Sequence, residues 1–150
     1  MIRKLREADL GRVMTIENAT SLVPWTTHIF KDCLDAGYLG WVLEQDGTVV
    51  GFGLLSLRQD EAHLLNLSID PGYQKRGLGK ALLDHVIKAA KSAGAMMIYL
   101  EVRESNLPAI KLYEKANFIQ IDLRPDYYPL SHTREDALVF ALDLELKLSF

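Results

Sequence analysis

The sequence predicts an α/β fold of the α+β kind: one mixed, mostly antiparallel sheet of about seven strands, flanked by about four helices. Three observations carry this reading. The run Leu64-Leu65-Asn66-Leu67-Ser68-Ile69 has strand length and is apolar with small polar interruptions. After it come Asp70-Pro71-Gly72-Tyr73, then Gln74-Lys75-Arg76-Gly77-Leu78-Gly79-Lys80, then a helical pattern at Leu78, Leu82, Val86 and Ala89/Ala90, then the apolar run Met96–Val102. A helical crossover of this kind makes the two strands it joins parallel. The other strand-like runs are joined by shorter links, so their pairs are expected to be antiparallel.

The elements follow in order. Ile2–Leu5 opens as a short strand. Asp9 is placed to cap a helix carrying Leu10, Val13, Met14 and Glu17. Leu22-Val23-Pro24-Trp25 breaks that pattern, because proline cannot continue a helix. Thr26 or Thr27 caps a second short helix running to Ala36. Gly40–Leu43 and Thr48–Leu57 are strands around Gln45-Asp46-Gly47, and Asp-Gly is a strong hairpin token. Gly51 and Gly53 in the second strand predict a bulge or a close backbone approach. Arg58–Glu61 is a polar turn into the central strand Ala62–Ile69.

Pro71 and Gly72 end the central strand, one with φ set by its ring and the other tolerant of positive φ. Ala93-Gly94-Ala95 ends the long helix. Ser105-Asn106 starts the next helix, with Pro108 in its first turn and Asn117 as its left-handed C-terminal residue. Phe118–Leu123 is a strand. Arg124–Arg134 is expected to be a long loop, with Arg134, Glu135 and Asp136 preceding a last strand, Ala137–Leu144.

At 150 residues the chain is expected to form one domain, residues 1–150, large enough for a proper core. A net charge of −3 argues against a non-specific nucleic-acid binder, which would be basic. Cys33 is the only cysteine, which suits a reducing, cytoplasmic setting and rules out an internal disulfide. Its spacing with Ile29, Phe30 and Leu34 favours packing over reactivity. The start Met1–Arg6 runs into Glu7 and Asp9, so neither a signal peptide nor a membrane span is expected. His28, His63, His85 and His132 show no metal spacing, and solvated or core positions are expected for all four.

The loop after the central strand is the chemical feature. Gly77 and Gly79 lack Cβ atoms, so a ligand can approach their main chain. Their N–H groups lie at a helix start, where donors have no internal partner and the dipole is positive. Lys75, Arg76 and Lys80 add full charges. A nucleotide P-loop would need Gly-Lys-Ser/Thr where Gly77-Leu78 stands. A dinucleotide fingerprint would need a third glycine at Leu82 and a shorter link to the strand, although Glu101 lies at the distance of its ribose-binding acid. That second reading stays open on residues alone, as does a purely structural tight loop.

Gln74-x-x-Gly77-x-Gly79 after an apolar strand resembles the acyl-CoA pyrophosphate loop of the GNAT-type N-acetyltransferases. Further tokens resemble the ribosomal-protein-alanine (RimI-like) branch: Pro24-Trp25, Asn66–Pro71, Leu100-Glu101-Val102-Arg103-x-Ser105-Asn106, Ala109-x-x-Leu112-Tyr113, Phe118, Tyr127-Tyr128-Pro129 and Arg134–Ala137. The resemblance implies the GNAT fold, with the central parallel pair splayed to take the pantetheine arm of acetyl-CoA against main-chain groups of Leu67 and Ile69. It implies cofactor contacts at Leu67, Ser68, Ile69, Lys75, Arg76, Gly77, Leu78, Gly79, Lys80 and Asn106. No metal is implied. The partner the resemblance implies is the N-terminal segment of a protein, a ribosomal protein beginning with alanine. Neither a nucleic acid nor a membrane is expected as a partner. Trp25, Tyr127, Tyr128 and Arg134 are implied on the peptide side, with Arg124 beside them. The acids Asp126, Glu135 and Asp136 are placed to receive a basic tail.

Glu101 and Tyr113 are the catalytic candidates. Glu101 ends an apolar strand, where a carboxylate is costly unless it faces a cleft or a partner. A solvated acid paired with Arg103 is the other reading. The resemblance makes Glu101 the proton acceptor, through water, and Tyr113 the donor to the departing thiolate. A half-buried core tyrosine is the alternative for Tyr113. One carboxylate without a cluster of bases suits an α-amine, whose deprotonation at pH 7 costs about 1–1.4 kcal/mol, better than a lysine at about 4–5 kcal/mol. The rival functions are a GNAT acetyltransferase of a small amine or lysine, and a non-catalytic acyl-CoA-binding module.

Overall fold

A computed structural model describes residues 1–129 and 134–145. The strands are β1 (Ile2–Lys4), β2 (Leu39–Gln45), β3 (Thr48–Arg58), β4 (Glu61–Ile69), β5 (Met97–Arg103), β6 (Ile119–Pro129) and β7 (Arg134–Asp143). The helices are α1 (Leu10–Thr20), α2 (Thr27–Asp35), α3 (Leu78–Ser92) and α4 (Leu107–Lys115). The strands form one sheet in the order β1-β2-β3-β4-β5-β7-β6. β4 and β5 are parallel, paired from Glu61–Met97 to His63–Tyr99, as the crossover through α3 requires. The β1–β2, β2–β3, β5–β7 and β6–β7 ladders are antiparallel. By its contacts the chain divides into two compact units, Met1–Ser56 with Leu64–Val86, and Leu57–His63 with the described residues from Ile87 onward.

In the first unit, apolar positions three apart on α1 (Leu10, Val13, Ile16) point into a core with Leu5, Phe30, Val42, Val49 and Phe52. Phe30 stands edge-on to Phe52 at 5.5 Å, and the half-buried Trp25 packs on Phe30 at 5.2 Å. Thr26 caps α2 by accepting the Ile29 N–H at 3.3 Å. Gln45 pairs with Thr48, which leaves Asp46 and Gly47 as a two-residue turn with φ of 52° and 79°. Gly51 is a close-approach glycine: a Cβ there would lie 2.6 Å from Ile69 Cδ1 and 3.2 Å from the Ser68 carbonyl. Asp9 stands before α1 but does not cap it. Its carboxylate turns back to the Arg6 N–H at 2.8 Å and to both Arg3 Nη atoms at 2.8 Å. The guanidinium offers two charged donors against the single neutral one of a cap.

In the second unit, Ile98, Leu100 and Val102 of β5 alternate into the core. Met97, Tyr99, Glu101 and Arg103 therefore share the less buried face. Asn117 takes φ 73° after α4, as expected. Arg124–Pro129 is not loop but the second half of β6, and Arg134–Asp136 lie inside β7. A register shift between Arg124 and Tyr128 takes up Pro125 and the positive-φ Asp126. Two prolines confine β6 to an edge, so β7 fills the place beside β5. His132 and the rest of the Leu130–Thr133 segment expected in that loop lie outside the described residues.

Candidate active site

The loop in the first unit is built around Asp70 at the end of β4. Its Oδ1 accepts the Gly72 N–H at 2.9 Å and its Oδ2 accepts Arg12 Nη2 at 2.9 Å. Those two donors, the main-chain one first, hold the Asp70 carboxyl below the usual range. Gln74 Nε2 donates to the Ile69 carbonyl at 2.9 Å, so that carbonyl is already engaged. Lys75 and Gly77 take φ of 64° and 79°. The first turn of α3 carries the N–H groups of Leu78, Gly79 and Lys80, ahead of the Ala81-to-Gly77 bond. A Cβ at Gly77 would meet nothing within 4 Å, so its main chain is open to a ligand. Arg76 lies over the Tyr73 ring at 5.1 Å, and Lys80 pairs with Asp84 at 2.8 Å, both on exposed side chains free to turn toward an anion. The arrangement fits a pyrophosphate.

Trp25 is held from below. The fully buried Glu17 carboxylate accepts the Trp25 N–H at 2.9 Å through Oε2 and Asn66 Nδ2 at 3.1 Å through Oε1. Asn66 Oδ1 in turn accepts Ser68 Oγ at 3.1 Å. Sequence reasoning placed Glu17 only as a helix position. Its partners lie 8 and 49 residues away, so no local pattern could show them.

Both catalytic candidates, Glu101 and Tyr113, belong to the second unit. Glu101, with 13% of its side chain exposed, is paired with His63, not with Arg103. His63 Nε2 lies 2.5 Å from Glu101 Oε2, and Arg124 Nη1 lies 3.8 Å from Oε1. The His63 hydrogen bond is the first cause holding the Glu101 carboxyl below its usual range, against desolvation. His63 is therefore neither simply solvated nor a core residue. Of the other histidines, His28 is exposed beside Asp32, and His85 stands edge-on to Trp41 at 5.8 Å. Cys33 is half-buried, and burial pushes its thiol up.

Tyr113 is buried on α4 against Phe118, and burial raises its phenol well above the ordinary value. Asn106 caps α4, its Oδ1 accepting the Ala109 N–H at 3.3 Å, which leaves its amide nitrogen and the second lone pair of Oδ1 for a ligand. Tyr127 and Tyr128 are edge-to-face at 4.9 Å, with Arg124 over the first and Arg103 over the second. Burial, then Glu101, pushes Tyr128 up to about 12. Two of the acids expected to receive a basic tail, Glu135 and Asp136, are engaged within the unit. Glu135 binds Arg103 at 3.1 Å and Ser105 at 3.0 Å, and Asp136 accepts the Asp126 N–H at 2.9 Å. Arg134 Nε donates to the Asp126 carbonyl at 2.8 Å.

A family model described as acetyltransferase (GNAT) family matches residues 8–118. The [ribosomal protein bS18]-alanine N-acetyltransferase of Escherichia coli K12 is 38% identical over 145 residues, 97% of this chain and 98% of that protein. The protein of the same name from Haemophilus influenzae is 39% identical over 142 residues, 94% of this chain and 97% of that protein. The crystal structure of the ribosomal-protein-S18-alanine N-acetyltransferase from Escherichia coli superposes with a TM-score of 0.91 at 37% identity, covering 100% of this chain and 99% of that one.

Proposed function

Because this chain belongs to the acetyltransferase (GNAT) family, we propose that it transfers acetyl from acetyl-CoA to the N-terminal α-amine of a protein, specifically the N-terminal alanine of a small-subunit ribosomal protein of the bS18 kind. The observation that carries the substrate is the 38% identity to the bS18-alanine enzyme across nearly the full length of both chains. Acetyl-CoA supplies the thioester. The main chain at Gly77–Lys80 binds its pyrophosphate, with Lys75 and Arg76 adding charge. Glu101 takes the amine's proton through a water, and Tyr113 donates a hydrogen bond to the departing sulfur. Transfer is direct and needs no covalent enzyme intermediate.

The family match crosses from one compact unit into the other, which supports treating residues 1–150 as one catalytic domain. We assign the enzyme to the cytoplasm, where ribosomal proteins are made. Among the described residues no helix is long and apolar enough to cross a membrane.

The test is acetyl-CoA turnover with short peptides beginning Ala-Arg, against the same peptides with N-acetylated alanine, peptides with an internal lysine, and small amines. Turnover confined to the free alanine terminus is expected. Turnover with lysine or small amines alone would overturn the substrate and keep the chemistry. Cofactor binding without turnover would favour a non-catalytic acyl-CoA module.

A further inference from the structure

His63 and Glu101 are neighbours only because β4 and β5 run parallel. His63 stands in the last pair of the ladder, opposite Tyr99, and Glu101 is two residues further along the same face of β5. The pair is graded in exposure: 13% for the carboxylate side chain and 39% for the imidazole. An ionised carboxylate only accepts hydrogen bonds, so Nε2 must carry the hydrogen between them. This occupies Oε2 at 2.5 Å and leaves Oε1, with Arg124 Nη1 3.8 Å away, as the oxygen free to take a proton.

Resting on the reading in which Glu101 accepts the amine's proton, we propose that His63 is a positioning residue for the reaction: its Nε2–H holds Glu101 in one rotamer, with a single oxygen presented to the amine-side water. Glutamate has three rotatable side-chain bonds, and an unheld carboxylate past the last β4–β5 pair would sample several orientations. A misplacement of about 1 Å at such a group costs on the order of 100-fold in rate. The hydrogen bond also keeps Glu101 ionised as the solution is acidified.

The other charged or titratable groups on this face are few. By alternation and register they are Glu61 on β4, Tyr99 and Arg103 on β5, Glu135 and Asp143 on β7, and Asp122, Arg124 and Tyr128 on β6. Arg103 is committed to Glu135 at 3.1 Å and lies over Tyr128. Arg124 is half-exposed and lies over Tyr127, so it is the weaker hold on Glu101. That leaves His63 as the group that fixes the carboxylate.

The test compares His63→Leu, His63→Gln and Glu101→Gln in the full chain, with acetyl-CoA and an Ala-Arg peptide. His63→Leu should lower kcat about 10- to 100-fold with peptide KM within about threefold. Its acid limb in kcat/KM should move to higher pH, because Glu101 loses the donor that keeps it ionised. His63→Gln, which retains an N–H donor, should recover much of the rate. His63→Asn replaces the Leu variant if that one does not fold, since its shorter side chain cannot span the gap. If Glu101→Gln keeps full turnover, the reading of Glu101 as proton acceptor fails and the proposal fails with it. If Glu101→Gln is inactive while His63→Leu matches wild type in rate and acid limb, the proposal alone falls. Equal losses in the Leu and Gln variants, with an unmoved limb, would reduce His63 to a packing role and overturn it.

Discussion

The buried Glu17 carboxylate holds the main-chain N–H of Trp25 at 2.9 Å. A carboxylate this buried tolerates its position because both oxygens are used, the second by the Asn66 amide at 3.1 Å. The bond ties the break after α1 to β4. Glu17→Ala leaves two part-buried donors unpaired and should cost roughly 1–3 kcal/mol for each that water cannot reach. Urea unfolding measures it. If Trp25 borders the peptide, peptide KM should rise in the same variant while acetyl-CoA affinity holds.

Gly77 should be intolerant of charge more than of bulk. Its φ of 79° strains any side chain by about 1 kcal/mol, yet a Cβ would meet no neighbour within 4 Å. Gly77→Ala is therefore expected to weaken acetyl-CoA binding severalfold. Gly77→Asp, which sets a negative charge against the pyrophosphate, should abolish measurable binding. Calorimetric titration with acetyl-CoA checks both, and retained affinity in the Asp variant would remove the loop from the cofactor site.

Tyr113→Phe should lower kcat by roughly 100- to 1000-fold, the range for loss of one preorganised donor, with acetyl-CoA affinity nearly unchanged. Burial raises the phenol above its ordinary value, so it remains protonated across the working pH range. Wild-type activity should then show no alkaline limb from this residue below about pH 10. Unchanged turnover in the Phe variant would leave Tyr113 as core packing against Phe118.

Acid stability should carry the signature of Asp9. The Arg3 hydrogen bond, ahead of desolvation, holds its carboxyl below the usual range. A group with a depressed folded pKa stabilises the fold above its unfolded value, about 4, and that contribution is lost as pH falls through the folded value. The urea midpoint of Arg3→Met should therefore lie below wild type near pH 6, with the gap narrowing toward pH 3. A gap that stays constant across that range would assign the loss to packing.

The sequence by itself determined what depends on neighbours along the chain. Asp46-Gly47 made its turn because both positions need positive φ, and Thr26 and Asn106 capped helices whose first N–H groups lack partners. The spacing from Ile69 through Gly77 to Met97 required a crossover, and hence the parallel pair. The tokens around Glu101 and Tyr113 are local runs of sequence, and they point to acetyl transfer by themselves. Tertiary structure alone decided what depends on residues brought together from afar. Arg124–Pro129 carries two prolines and reads as loop, but pairing with β7 makes it an edge strand. The Asp9 carboxylate left its cap for Arg3 because a guanidinium was within reach. His63 and Glu101, 38 residues apart, and Glu17 and Asn66, 49 apart, leave no local signature, because strand register and helix packing set those distances and a one-residue shift would turn either strand partner to the opposite face.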